Sequence, residues 1–233
     1  MLLKPKIILL AGPTASGKSK VAIGLSKALN GEIINADSMQ VYKEFRTLTS
    51  RPTIDDEKKV KHHLYGIISV KKNFSVGEWL KLTTKTINKI LKKKKIAIVV
   101  GGTGLYFNSL LNGLAKIPNI SIKHRNKIRS YHKKIGQKKF YFELLKLDPK
   151  VKNFISPTDT QRTIRAYEVK KYTKISLYEW FDKTKSNFEN HLFKKLFINL
   201  DKESLIKKIN ITTSFFTPLL NIFSVLILIF LIK

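Results

Sequence analysis

Gly12-Pro13-Thr14-Ala15-Ser16-Gly17-Lys18-Ser19, set directly behind the apolar run Ile7-Ile8-Leu9-Leu10, decides how the rest of the chain is read. It has the spelling G-x-x-x-x-G-K-[ST] of a phosphate-binding loop. A short buried-strand pattern runs into it and a helical pattern runs out, with Val21, Leu25 and Leu29 falling on one helix face. The glycines let the backbone curl so that successive N–H groups converge. The helix after the loop points its positive end at the same spot, and Lys18 adds a full charge. Ser19 is placed to ligate a magnesium ion that also touches the phosphates. The stretch predicts a phosphate or diphosphate ligand without saying which.

Working outward, that first helix is expected to stop near Asn30-Gly31. Glu32-Ile33-Ile34-Asn35-Ala36 then reads as a second strand, delivering Asp37-Ser38-Met39-Gln40-Val41-Tyr42 at its carboxyl end, the edge where open α/β sheets gather their ligands. Read alone, Asp37 is more simply an N-cap for the residues just after it. His62 and His63 are neighbours in an extended segment and point to opposite faces, which makes them a poor metal pair. Ser75-x-x-Glu78 is a capping box opening a long helix with Trp79, Ile87, Ile90 and Leu91 as its apolar positions. That helix closes on Lys92 to Lys95, cations at the negative end of its dipole. Ile96 to Val100 is a third strand, running into the glycine turn Gly101-Gly102-Thr103-Gly104. Strand, helix and strand recurring in this order imply a parallel sheet with right-handed crossovers.

From Ile120 the character changes. Lys123, Arg125, Lys127, Arg129, Lys133, Lys134, Lys138 and Lys139 crowd segments of helical pattern, which reads as an inserted helical subdomain with a basic surface. Asp159 or Thr158 is expected to cap a further helix carrying Gln161-Arg162-Thr163-Ile164-Arg165. Gln161 and Arg165 share one face, suited to phosphate or base edges, although surface ion pairs would use the same residues. Ser176-x-x-Glu179 opens another short helix, and Leu196 to Leu200 returns as a strand. The expected division is an α/β core of residues 1–118 and 190–210, an inserted basic subdomain of 119–189, and an atypical apolar tail of 211–233.

The balance of 45 Lys+Arg against 16 Asp+Glu leaves a net charge of +29 over 233 residues. So large an excess points to a polyanionic partner, nucleic acid above all, although part of it is ordinary solvated lysine in a Lys- and Asn-rich chain. The absence of cysteine excludes disulfides and thiolate metal sites. The first residues do not read as a signal peptide, because their apolar run is short and the glycine loop comes at once.

With GPTASGKS (12–19), NADSMQVY (35–42), RPT…HHL (51–64), GGTGLY (101–106) and QRTIRAYEV (161–169) in hand, the chain resembles the tRNA dimethylallyltransferases, which prenylate an adenosine beside the anticodon. The resemblance runs from about Ile7 to about Ile209. It implies an α/β fold with a P-loop NTPase-like parallel sheet flanked by helices, and an inserted helical subdomain. It implies a cytoplasmic enzyme moving a dimethylallyl group from dimethylallyl diphosphate to the exocyclic N6 of the tRNA adenosine. Magnesium would be its cofactor, tRNA and the diphosphate its partners, and it would work as a monomer away from membranes.

Residue by residue, the resemblance makes Asp37 the general base, with Thr103 beside it in the catalytic set, and gives residues 12–19 the diphosphate. Asp37, Ser38, Met39, Gln40, Thr103, Arg125, Gln161, Arg162, Thr163, Ile164 and Arg165 fall where the family contacts tRNA. Beyond Asp201 the resemblance dissolves, and Leu219 to Ile232 is almost wholly apolar. A buried helix and a marginal membrane anchor are alternatives; the preferred expectation is out-of-frame or truncated sequence in place of a family-type end. Two other functions remain open: a small P-loop kinase, and an RNA-binding relative without activity.

Overall fold

The computed structural model describes residues 5–214, without the side chains of residue 202 and of 211–214. The apolar stretch Leu219 to Ile232 and its out-of-frame reading lie outside the described residues. By internal contacts the described residues divide into one unit of 5–111 and 187–214 and a second of 112–186.

The first unit is built on a five-stranded parallel sheet in the order β3-β2-β4-β1-β5. Its strands are β1 (Ile7–Ala11), β2 (Gly31–Asn35), β3 (His62–His63), β4 (Ile96–Gly101) and β5 (Phe193–Phe197). Its helices are α1 (Lys18–Ala28), α2 (Ile54–Lys59), α3 (Val76–Lys92), α4 (Gly104–Asn112) and, after the three helices of the second unit, α8 (Lys202–Ser214). β1 and β4 are apolar throughout, as suits strands buried on both faces, while β2 carries the buried polar side chains of Glu32 and Asn35. From β1 the chain crosses in one direction to β2, and from β3 it returns the opposite way to β4. Right-handed crossovers in opposite directions put α1 and α3 on opposite faces of the sheet.

The α1 face differs from its sequence pattern. Val21 and Leu29 are each 43% exposed, whereas Ala22 and Ser26 are buried. Small side chains let this helix lie close on β2 and β4, and the Ser26 hydroxyl donates to the Gly31 carbonyl at 2.6 Å. Ala22 packs with Ile8, Leu10, Ile33, Ile98 and Val100. The helix ends as expected, Asn30 taking the left-handed conformation (φ 49°) before β2 begins. The Ser75/Glu78 capping box opens α3, whose Trp79, Ile87 and Ile90 are fully buried. The returning strand comes three residues earlier than the apolar run Leu196 to Leu200 suggested, because its register is set by pairing with β1, from Ile7 opposite Phe193 to Ala11 opposite Phe197.

The second unit holds α5 (Ile122–Leu147), α6 (Thr160–Thr173) and α7 (Leu177–Asp182). Gly136, at φ 79° and ψ 162°, breaks α5 into two helices. Ile120, Tyr141, Leu144, Val151, Ile155, Ala166, Val169 and Leu177 form the core of this unit. Asp159 caps α6 by accepting the Arg162 N–H. Ser176 caps α7, but Glu179 does not close a capping box; it pairs with Lys150 at 2.6 Å instead. Among the described residues no helix is long and apolar enough to cross a membrane.

Candidate active site

The loop between β1 and α1 takes the shape its glycines allow. Ala15 (φ 62°) and Gly17 (φ 85°) are both left-handed, and Gly17 caps α1, so the free N–H groups of the first helical turn open onto the loop. Ser16 is buried, and its hydroxyl finds no hydrogen-bond partner among the described residues. A buried polar atom left over in a ring of backbone donors is what an anion site shows without its ligand's oxygens. Lys18 folds back to donate to the Pro13 carbonyl. Burial pulls its ammonium below the ordinary lysine range, and the negative charge of Asp37 opposes that pull.

Asp37 hangs from the carboxyl end of β2, and in place of the expected helix cap it closes a local turn. Its Oδ1 accepts the Met39 N–H at 2.9 Å, closing a tight turn with no helix behind it. Its other oxygen has no hydrogen-bond donor among the described residues, and Asp37 lines the same cleft as Lys18. Thr103 is fixed to this turn: its hydroxyl accepts the Ser38 N–H at 3.0 Å, and its own N–H donates to the Ala36 carbonyl. Gly101 permits that approach, since a Cβ there would lie 2.1 Å from the Ala36 carbonyl oxygen.

The cleft measures about 810 Å³. Residues 14–19 and Asp37 form its polar side. Met39, Phe45, Leu48 and Tyr65 bring apolar surface, and Lys208 of α8 also lines it. Gln40 donates to the Thr49 carbonyl at 2.7 Å and so braces the loop carrying Phe45 and Leu48. The sequence reading missed Phe45, Leu48 and Tyr65, which lie far along the chain from the glycine loop and meet it only in the fold. Burial pushes the Tyr65 hydroxyl up from its ordinary value, with Asp37 adding to the effect and Arg51 opposing it. Of the two histidines, His62 bonds the Val60 carbonyl, and His63 pairs with Glu32 at 2.7 Å.

The remaining candidates lie in the second unit. Arg125 has a buried Nε without a hydrogen-bond partner among the described residues. Arg165 lies 3.6 Å and Arg129 3.7 Å from the buried carboxylate of Glu168. Gln161 and Arg162 are exposed, Arg162 reaching Asp159 at 3.5 Å. Ile164 is half-buried. Thr163 is fully buried, its hydroxyl donating to the Asp159 carbonyl and accepting from Gln137. The ion-pair reading of these arginines therefore holds for Arg162 and Arg165, while their exposed guanidinium edges stay open to a polyanion.

Comparison with known proteins adds to this geometry. The sequence model of a family described as IPP transferase matches residues 40–214. A tRNA dimethylallyltransferase from Pelagibacter ubique (strain HTCC1062) is 60% identical over 209 residues, covering 90% of this chain and 67% of that protein. One from Rickettsia bellii (strain OSU 85-389) is 42% identical over 205 residues, covering 88% and 65%. Among solved structures, a eukaryotic dimethylallyltransferase acting on tRNA superposes with a TM-score of 0.77 at 26% identity, over 91% of this chain and 52% of that one. The full-length tRNA isopentenylpyrophosphate transferase of Bacillus halodurans gives 0.56 at 31% identity, over 91% and 65%. The chain thus spans about two thirds of three of these proteins and about half of the fourth.

Proposed function

The chain belongs to the IPP transferase family, and from that premise we propose that it transfers a dimethylallyl group from dimethylallyl diphosphate to the exocyclic amine of a tRNA adenosine. The observation that carries the reading is the shared cleft. A loop with the spelling of a phosphate site and a half-buried cation shares one cleft with a carboxylate that keeps one oxygen free, and apolar side chains line the same cleft. An allylic diphosphate leaves readily when its growing negative charge meets Lys18 and the N–H groups of the loop. The aromatic amine that replaces it is a weak nucleophile, so orientation and a base within reach matter. Asp37 is that base, taking the amine proton on its free oxygen as the new N–C bond forms. The apolar surface of Met39, Phe45, Leu48 and Tyr65 suits a five-carbon group and keeps water from it.

Magnesium fits the loop, since the Ser19 hydroxyl is a hard oxygen ligand lining the cleft beside Lys18. When bound it would neutralise charge on the departing diphosphate. The target base must be swung out of its stack to reach such a pocket, and the lysines and arginines of α5 and α6 supply the grip on the RNA backbone. The test is to mix the chain with labelled dimethylallyl diphosphate and unmodified tRNA. Label entering the RNA supports the reading. No transfer, with γ-phosphate moving from ATP to a small acceptor instead, would replace it with the kinase.

A further inference from the structure

Asn35 is the last residue of β2 and fully buried, a polar side chain at the point where the strand gives way to the Asp37 turn. Its amide makes three hydrogen bonds. Oδ1 accepts the Asp37 N–H at 2.8 Å, and Nδ2 donates to the Asp37 carbonyl at 3.0 Å and to the Leu64 carbonyl at 3.1 Å. Its own carbonyl accepts the indole N–H of Trp79 at 2.8 Å, and Trp79 stacks on Tyr106. One side chain thus holds both main-chain groups of Asp37, while its backbone is tied to the core of α3.

The neighbouring backbone groups have partners of their own. The Ala36 N–H goes to Val100, the Ala36 carbonyl to Thr103 and the Ser38 N–H to Thr103 Oγ1. That leaves the Asp37 N–H and carbonyl, which the strand ladder has already released, and Asn35 takes both. Leu64 is the third partner, and it sits in the left-handed region at φ 63°. A leucine there is strained and persists only where its surroundings hold it. Its carbonyl is aimed at Asn35, and the next residue, Tyr65, lines the cleft. The amide therefore joins two walls of the site, the turn carrying the carboxylate and the segment carrying Tyr65. An amide suits this place because it is a donor and an acceptor on one small planar group. Aspartate would set a carboxylate oxygen against two carbonyls, and leucine would orphan all three partners.

We propose that Asn35 is the positioning residue of the site: it fixes the backbone of Asp37 so that the free carboxylate oxygen points into the cleft. The proposal rests on Asp37 being the base, and Asn35 acts through Asp37 without touching substrate.

The experiment is a double-mutant cycle on the full chain, read by single-turnover prenyl transfer well below the unfolding temperature, with amide exchange at Met39 as a second readout. Asn35→Ala should slow transfer about tenfold or more, with the KM for dimethylallyl diphosphate within about twofold of the parent. In an Asp37→Ala background the same change should cost less than about twofold, because there is no carboxylate left to position. The Met39 N–H should exchange at least about tenfold faster in Asn35→Ala, while the amides of Ile34 and Val99 stay protected. Asn35→Ser, which keeps a hydroxyl near the Asp37 N–H, should fall between parent and alanine, and it replaces Asn35→Ala if that variant does not fold.

Losses that multiply across the cycle would overturn the proposal, as would unchanged Met39 exchange. If Asp37→Ala transfers at the parental rate, or the parent transfers nothing, the reading of Asp37 as base is what has failed. The Met39 exchange then still decides whether Asn35 holds the turn.

Discussion

Replacing Glu32 with glutamine tests whether the strand that delivers Asp37 is anchored by charge. The Glu32 side chain is 2% exposed and meets His63 Nε2 at 2.7 Å, Lys95 Nζ at 3.0 Å and Lys93 Nζ at 3.6 Å. Burial alone would raise its pKa. Hydrogen bonds from His63 and Lys95 and the charges of Lys93 and Lys95 outweigh that and hold it at about 2. The fall from the ordinary 4.5 to about 2, at about 1.4 kcal/mol per pKa unit, corresponds to about 3 kcal/mol of stability at neutral pH. Because the folded value is the depressed one, this stability is fully present above about pH 5 and fades as pH falls toward about 2. Urea unfolding of parent and Glu32→Gln should differ by about 3 kcal/mol at pH 7 and by less than half of that at pH 3, where parental Glu32 is largely neutral in the unfolded chain. A difference that stays the same at both pH values would refute the argument, and so would one below about 0.5 kcal/mol at pH 7.

The site itself gives three more expected outcomes. Lys18→Ala should raise the KM for dimethylallyl diphosphate at least about tenfold and leave tRNA affinity nearly unchanged, checked by titrating each substrate separately. Gly101→Ala, whose new Cβ would fall on the Ala36 carbonyl, should lower stability by roughly 2–3 kcal/mol in denaturant unfolding and slow transfer even where the protein is folded. Arg165→Ala should weaken tRNA binding and flatten its dependence on salt by about one counterion, measured by filter binding across a salt series.

What was legible in the sequence was what local chemistry dictates. The tight glycine turn between β1 and α1, the capping box at Ser75 and Glu78, the left-handed stop at Asn30 and the Asp159 cap are each decided within a few residues, and each is present in the fold. What was not legible depends on a partner far along the chain. The buried face of α1 carries Ala22 and Ser26, which look unremarkable until a sheet lies close enough to need small side chains. At the sheet edge, Phe193–Phe197 includes exposed Lys194 and Lys195, so on apolar character alone Leu196 to Leu200 is the better strand; only pairing with β1 picks the first. Lysines on an edge strand are what protect such an edge from further pairing. For Asp37, spacing alone favoured a cap and the family resemblance a base; the turn occupies one carboxylate oxygen, and the proposed base would use the other.

The strand order carries the deepest consequence for the proposed chemistry. The phosphate loop leaves β1 and the Asp37 turn leaves β2, and these strands are not neighbours: β4 runs between them. Two interstrand spacings, about 9–10 Å, therefore separate the two chain exits. On the proposed reading, a directly adjacent pair would press the carboxylate against the diphosphate, where like charges repel. A pair one strand further apart could not serve a single small molecule. The intervening strand must then end without obstructing the space it creates, and β4 does so with Gly101, lining the cleft where any side chain would strike the Ala36 carbonyl. On the proposed reading, an allylic diphosphate would set its charged end on Lys18 and turn its reacting carbon toward Asp37, which lines the same cleft.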